Sequence, residues 1–175
     1  MTGDRQSEFE ALRATIRERG TVRLCAVLLG LGLWAALLVA VRVSRLDGFV
    51  TLTPLLVLAA AFEVSFFVHT GVERVGRYLQ VFYEEPAGSR GWETIAMEYG
   101  TRFPGGLDPL FARLFGLSAI VGLFATLGAV PPWPGWRALV FLAHAGFAYR
   151  IVTARKAATA QRALDLERYR ALCSK

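Results

Sequence analysis

Four stretches of the chain are almost wholly apolar, and polar segments rich in arginine separate them. Only Glu63 and His144 place ionisable groups inside the cores of these stretches, which are residues 24–41, 49–68, 114–130 and 138–149. A helix needs about 20 apolar residues, at a rise of about 1.5 Å each, to cross roughly 30 Å of hydrocarbon. The pattern therefore predicts an all-α integral membrane protein, a bundle of four helices that span the bilayer at residues 22–43, 49–71, 110–130 and 134–153.

The first and fourth stretches need a separate argument. The first is longer than the roughly 7 to 15 apolar residues of a secretory signal, and it follows a long polar segment, so we predict a membrane span. The fourth reaches spanning length only if Arg137 and Arg150 extend to the two interfaces.

Two helix starts are predicted where a threonine or an aspartate precedes a proline. Thr53 before Pro54 should begin the second span, and Asp108 before Pro109 should begin the third, because a polar cap followed by proline favours a helix start. Nothing breaks the second helix before Pro86. We therefore expect it to extend beyond the membrane.

Amphipathic helices are predicted outside the spans, in residues 1–21, in the central loop 72–109 and in the basic tail 154–175. Apolar residues of the central loop recur at helical spacing on two segments, each with a charged opposite face. Such a stripe favours docking to another protein or to the bilayer surface. The predicted docking surface consists of Val72, Val75, Leu79, Phe82, Trp92, Ile95 and Tyr99.

The distribution of basic residues predicts the orientation. With the N-terminus in the cytoplasm, only Arg42, Arg45 and Arg137 of the 20 lysines and arginines lie on the outer side. Such an excess on one side predicts that both termini are cytoplasmic, in a bacterial inner membrane. The net charge of +6 then indicates attraction to the anionic lipids of the inner leaflet rather than nucleic-acid binding.

No catalytic pattern accompanies the spans. The sequence contains no GxSxG, HExxH or P-loop motif, and its two cysteines, Cys25 and Cys173, are far apart. We therefore expect neither an enzyme nor a metal site or cofactor.

Glu63 and His144 are the candidate functional pair. Glu63 lies nine residues after Pro54 and His144 ten residues after Pro134, which places both about 13 to 15 Å from the outer end of their helices. Similar depth would allow the two side chains to form a hydrogen-bonded pair or a proton relay. The alternative is structural: a protonated Glu63 bonded to Ser118 or to a backbone carbonyl, and a packed His144.

Small residues recur at every fourth position in the first and third spans. This spacing lets helix backbones approach closely in lipid, either within one chain or between subunits, and we favour packing within the chain. The residues are Gly32, Ala36 and Ala40, and Ser118, Gly122 and Thr126.

The stretch from Gly71 to Glu85, GVERVGRYLQVFYEE, followed by Gly91-Trp-Glu93, resembles the signature of an uncharacterised family of bacterial multipass membrane proteins with four helices. The resemblance implies the membrane class without any activity. The sequence thus favours a non-catalytic accessory or scaffold subunit of a membrane complex, or a self-associating membrane protein. Its partners would be lipids, other membrane subunits or a second copy. The alternative is a small oligomeric ion channel or proton-linked transporter that uses Glu63 and His144.

Overall fold

A computed structural model describes residues 3–45, 48–88, 90–103, 108, 110–128 and 133–174 of the chain. These residues form helices and turns without any strand, so the predicted all-α class is confirmed for them. The five α-helices are α1 (Gly3–Val43), α2 (Thr53–Leu79), α3 (Trp92–Arg102), α4 (Ala112–Leu127) and α5 (Pro134–Cys173). A 3₁₀ turn, Gly48–Leu52, precedes α2, and a π-helical turn, Gln80–Glu84, follows it.

Helix α1 joins two segments that the sequence separated. Residues 1–21 were predicted as a helix distinct from the span 22–43, but α1 runs without a break from Gly3 to Val43. Gly20 is the weakest helix former at the predicted boundary, and one glycine inside a helix costs only about 1 kcal/mol. The predicted short helix is therefore continuous with the span, because no residue there is strong enough to end a helix.

Two of the predicted helix starts are confirmed and one is wrong. Helix α2 begins at Thr53, as the proline signal indicated, and α5 begins at Pro134, the first residue of the predicted fourth span. Helix α4 begins at Ala112 rather than at Asp108, after Phe111 in the left-handed conformation (φ 52°). Pro109 lies outside the described residues. At 16 residues, α4 is about 24 Å long, shorter than the predicted span.

The chain divides into two compact units. The polar unit comprises Met1–Arg23, Phe67–Asp108 and Lys156–Lys175, and the apolar unit comprises Leu24–Phe66 and Pro109–Arg155. The long helices α1, α2 and α5 each contribute one part to each unit.

The core of the apolar unit is built on three aromatic rings from three helices. Phe62 of α2 meets Phe115 of α4 edge to face, with ring centroids 5.2 Å apart, and meets Phe147 of α5 in the same way at 5.9 Å. Such pairs stabilise a core by roughly 0.5–1.5 kcal/mol beyond their burial. Leu58 and Val140 are also fully buried. Helices α2, α4 and α5 therefore share one core.

Two helical segments of the described chain are long and apolar enough to cross a membrane: Gly3–Val43 and Gly48–Glu84. Ala112–Leu127 is apolar but shorter. The most apolar window of Gly3–Val43 is only 11% buried, against 39% for Gly48–Glu84. The described chain therefore leaves most of the apolar surface of α1 uncovered.

Candidate functional site

Glu63 forms an ion pair with Arg150 and not with His144. Arg150 Nε lies 2.7 Å from Glu63 Oε1, and its Nη2 donates to Oε2 at 2.8 Å, so the contact is bidentate. The guanidinium also lies over the Phe66 ring, 4.6 Å from its centroid. The Glu63 side chain is 49% exposed. The predicted Glu63–His144 pair is therefore wrong, because the long Arg150 side chain reaches the carboxylate.

His144 is a packed side chain on the inner face of α5. Its Nδ1 lies 2.8 Å from the Val140 carbonyl oxygen, which can only accept, so Nδ1 carries the proton. The other side of the ring faces α4, where a Cβ added at Gly122 would lie 3.5 Å from Nε2. His144 is therefore a packed side chain, as the structural alternative stated.

The two sets of small residues have opposite environments. Ser118, Gly122 and Thr126 are buried on α4, so packing within the chain is confirmed for that helix. The α1 set is exposed, and a Cβ at Gly32 would meet nothing within 4 Å. Packing within the chain was therefore the wrong interpretation for Gly32, Ala36 and Ala40. The close approach of α1 to α2 occurs at Gly30, where a Cβ would clash with Ala61.

The predicted docking surface is split by the fold. Leu79 is only 1% exposed, and so cannot contact a partner. Val72, Val75 and Phe82 are half-buried, and Phe82 packs on Tyr78 and Tyr169. The members on α3 remain exposed, and these are Trp92, Ile95 and Tyr99. The predicted stripe on α2 faces the interior of the polar unit because the C-terminal part of α5 and the N-terminal part of α1 cover it.

A buried charged cluster in the polar unit was missed by the sequence analysis. Arg77 belongs to the charged face of the second helix, opposite the predicted apolar stripe, yet it is buried. It contacts the Gln80 side chain and, at 3.3 Å, Glu93. Arg13 of α1 reaches the other oxygen of Glu93 at 3.1 Å. Gly76 is the residue of the sequence that pointed to this buried cluster, because a Cβ there would lie 2.6 Å from the Glu93 carboxylate. A glycine on a charged face indicates close packing.

Glu84 binds the start of α3. Its Oε1 accepts the backbone N–H of Glu93 at 2.8 Å, and its Oε2 accepts the N–H and the hydroxyl of Thr94 at 2.9 and 2.6 Å. The residue before the helix, Gly91, has no side chain to cap it, and a Cβ there would clash with Glu84. Glu84, which belongs to the π-helical turn, thus caps the first N–H groups of α3 in place of a side chain at Gly91.

Burial opposes the charges of this cluster. It raises the pKa of Glu93 above its ordinary value, while Arg77 and Arg13 lower it by a smaller amount. Burial likewise lowers the pKa of Arg77, against the carboxylates of Glu73 and Glu93. A raised carboxyl pKa favours folding at low pH, and this contribution is lost as the pH rises through the folded-state value. The cluster therefore fixes geometry more than it adds stability.

Two ion pairs and one hydrogen bond connect α1, α2 and α5 within the polar unit. From α5, Arg162 contacts Glu73 at 2.5 Å, and Arg74 of α2 contacts Asp165 at 3.3 Å. Arg23 of α1 lies 3.2 Å from His69. His69, Glu73 and Arg77, which are spaced four residues apart, interact with one another through their charges as well as with partners on other helices. A cavity of about 340 Å³ lies beside Glu73 and Glu93.

No protein-family model, curated protein or solved structure matches this chain. Within the described ranges, no three His, Cys, Asp or Glu side chains are grouped so as to hold a metal ion.

Proposed function

We propose that the protein is a non-catalytic integral membrane protein that self-associates or serves as an accessory subunit in a bacterial inner membrane. In this proposal the apolar unit lies in the bilayer with four spans, and both termini are cytoplasmic. The support is the large apolar surface of that unit, where side chains such as Leu29, Leu56, Phe124 and Leu142 are well exposed. In water such a surface would drive aggregation.

One observation carries the self-association. Gly32, Ala36 and Ala40 form an exposed stripe at four-residue spacing on α1, whose apolar window is the least buried of the two candidate spans. In lipid, helix association is favoured by close backbone approach, which small residues allow. The stripe meets no other part of the described chain closely enough to be explained by packing within one copy. A second copy of α1 would complete this contact.

Ala36→Leu tests the interface, and Ala35→Leu is its matched control. Both alanines are exposed on α1, but they point in directions about 100° apart. Leucine at position 36 should hold two helices apart and weaken the oligomer at least tenfold, whereas leucine at position 35 should leave it unchanged. Native mass spectrometry in mild detergent gives the assembly size. Equal oligomer fractions in the two variants would contradict an interface at the stripe.

The orientation is tested by thiol labelling of intact cells. In a Cys25→Ser background, the Trp133→Cys thiol should react with an impermeant maleimide added outside, because Trp133 is exposed in the predicted outer turn. Cys173, which is exposed on the polar unit, should react only after the cells are permeabilised. Labelling of Cys173 in intact cells would reverse the proposed topology.

A proton-linked function for Glu63 has less support. A bidentate contact with a guanidinium is made by the ionised carboxylate, so a relay would have to break the pair with Arg150 at each step. Nothing in the geometry favours that motion over a structural role.

A further inference from the structure

A cavity of about 470 Å³ lies between α4 and α5 in the apolar unit. Its volume falls within the roughly 300–1,000 Å³ that small-molecule sites occupy. Small side chains make room along its walls, and larger apolar ones such as Ile120 and Phe141 line the rest. The small wall residues are Ala112, Gly116, Ala119, Ala145 and Ala148. Hydrocarbon is the chemistry that suits these walls.

Two arginines lie together at one end of this cavity. Helices α4 and α5 are antiparallel here, since Gly122 lies beside His144. Phe115, earlier on α4, and Phe147, later on α5, meet at the same Phe62 ring. Arg113 lies nine residues before Gly122, about 13.5 Å along α4, and Arg155 lies eleven residues after His144, about 16.5 Å along α5. Both arginines line the cavity. The cavity is therefore cationic at one end and, apart from His144, lined by apolar residues along its length.

We propose that this cavity binds an anionic phospholipid, with one acyl chain along the apolar walls and the phosphate between Arg113 and Arg155. Guanidinium groups bind phosphate oxygens through paired hydrogen bonds, and two of them favour a headgroup with net negative charge over a zwitterionic one. The site rests on the proposed placement of the apolar unit in the bilayer. By the predicted topology, both arginines lie at the inner leaflet, where anionic lipids are found.

The test titrates purified, delipidated protein with dioleoylphosphatidylglycerol, and separately with dioleoylphosphatidylcholine, which has the same chains. Native mass spectrometry should show one tightly bound phosphatidylglycerol per chain, at least tenfold preferred over phosphatidylcholine. Arg113→Gln/Arg155→Gln should abolish the preference. Arg137→Gln, which removes one exposed charge from α5 outside the cavity, should retain it. Equal binding of the two lipids by the unmodified protein would overturn the proposal.

A pair of glycine variants tests the cavity itself. A Cβ at Gly116 or at Gly146 meets nothing within 4 Å, so both sites accept a side chain, but only Gly116 lines the cavity. Gly116→Phe should displace the lipid with both arginines intact, and Gly146→Phe should not. Retained binding in Gly116→Phe would contradict the site, as would binding of glycerol phosphate, which has no acyl chain.

The same preparations separate this proposal from the one on which it rests. Protein that fractionates with membranes and shows the expected thiol labelling, yet binds the two lipids equally, would refute the lipid site alone. Protein absent from the membrane fraction would refute the membrane placement and the lipid site with it.

Discussion

Replacing Glu84 with Ala is expected to release α3 from the polar unit and to cost about 3 kcal/mol of local stability. The carboxylate accepts three hydrogen bonds from Glu93 and Thr94, and it is buried. Its loss would leave two backbone N–H groups at the start of α3 without their partner. Hydrogen exchange of the peptide 92–102 should accelerate by roughly two orders of magnitude, because about 1.4 kcal/mol corresponds to a factor of ten.

The adjacent glutamate provides the control. Glu85 is exposed and forms a bidentate ion pair with Arg170, with a shortest distance of 2.6 Å. An exposed pair contributes about 0–1 kcal/mol, so Glu85→Ala should change the exchange of α3 by fivefold at most. Glu84→Gln keeps one acceptor oxygen and should fall between the two. Similar exchange in Glu84→Ala and Glu85→Ala would show that the carboxylate does not hold the helix.

Replacing Glu63 with Leu is expected to destabilise the apolar unit by more than about 1 kcal/mol if that unit lies in the bilayer. The upper bound is about 2.5–3.5 kcal/mol, the cost of a lone charge at the centre of a span, because Arg150 lies nearer the inner interface. The change leaves Arg150 without its carboxylate on a surface where Leu56, Ala60 and Phe67 are the exposed neighbours along α2. Glu63→Leu/Arg150→Leu removes both charges and should recover most of this loss. Thermal unfolding of the protein in nanodiscs measures both variants.

The Glu85–Arg170 pair of the polar unit provides the comparison that distinguishes a lipid environment from water. Glu85→Leu also leaves an arginine, Arg170, without its carboxylate, and should cost less than about 1 kcal/mol because water solvates the free guanidinium. A cost for Glu63→Leu as small as that for Glu85→Leu would place the Glu63–Arg150 pair in water. The four-span arrangement would then be wrong.

Local signals in the sequence were sufficient to predict most of the helices. Pro54 and Pro134 mark the starts of α2 and α5, because proline favours the first turn of a helix. The spacing of Trp92, Ile95 and Tyr99 predicted α3. The start of α4 was misplaced because it depends on Phe111, whose left-handed backbone conformation has no sequence signal in a residue of this type.

The sequence by itself determined where helices form and how apolar each is, because those properties depend on residues a few positions apart. Only the tertiary structure decided which face of each helix is covered. The periodicity of α2 separates an apolar face from a charged one, but it does not say that Arg77 would be enclosed with Glu93 or that Leu79 would be buried. Equally, Glu63 had partners at similar depth on more than one helix, and side-chain length and direction selected Arg150 over His144. Pairings between distant segments depend on how whole helices pack, and that packing minimises the free energy of the entire chain rather than of any one segment.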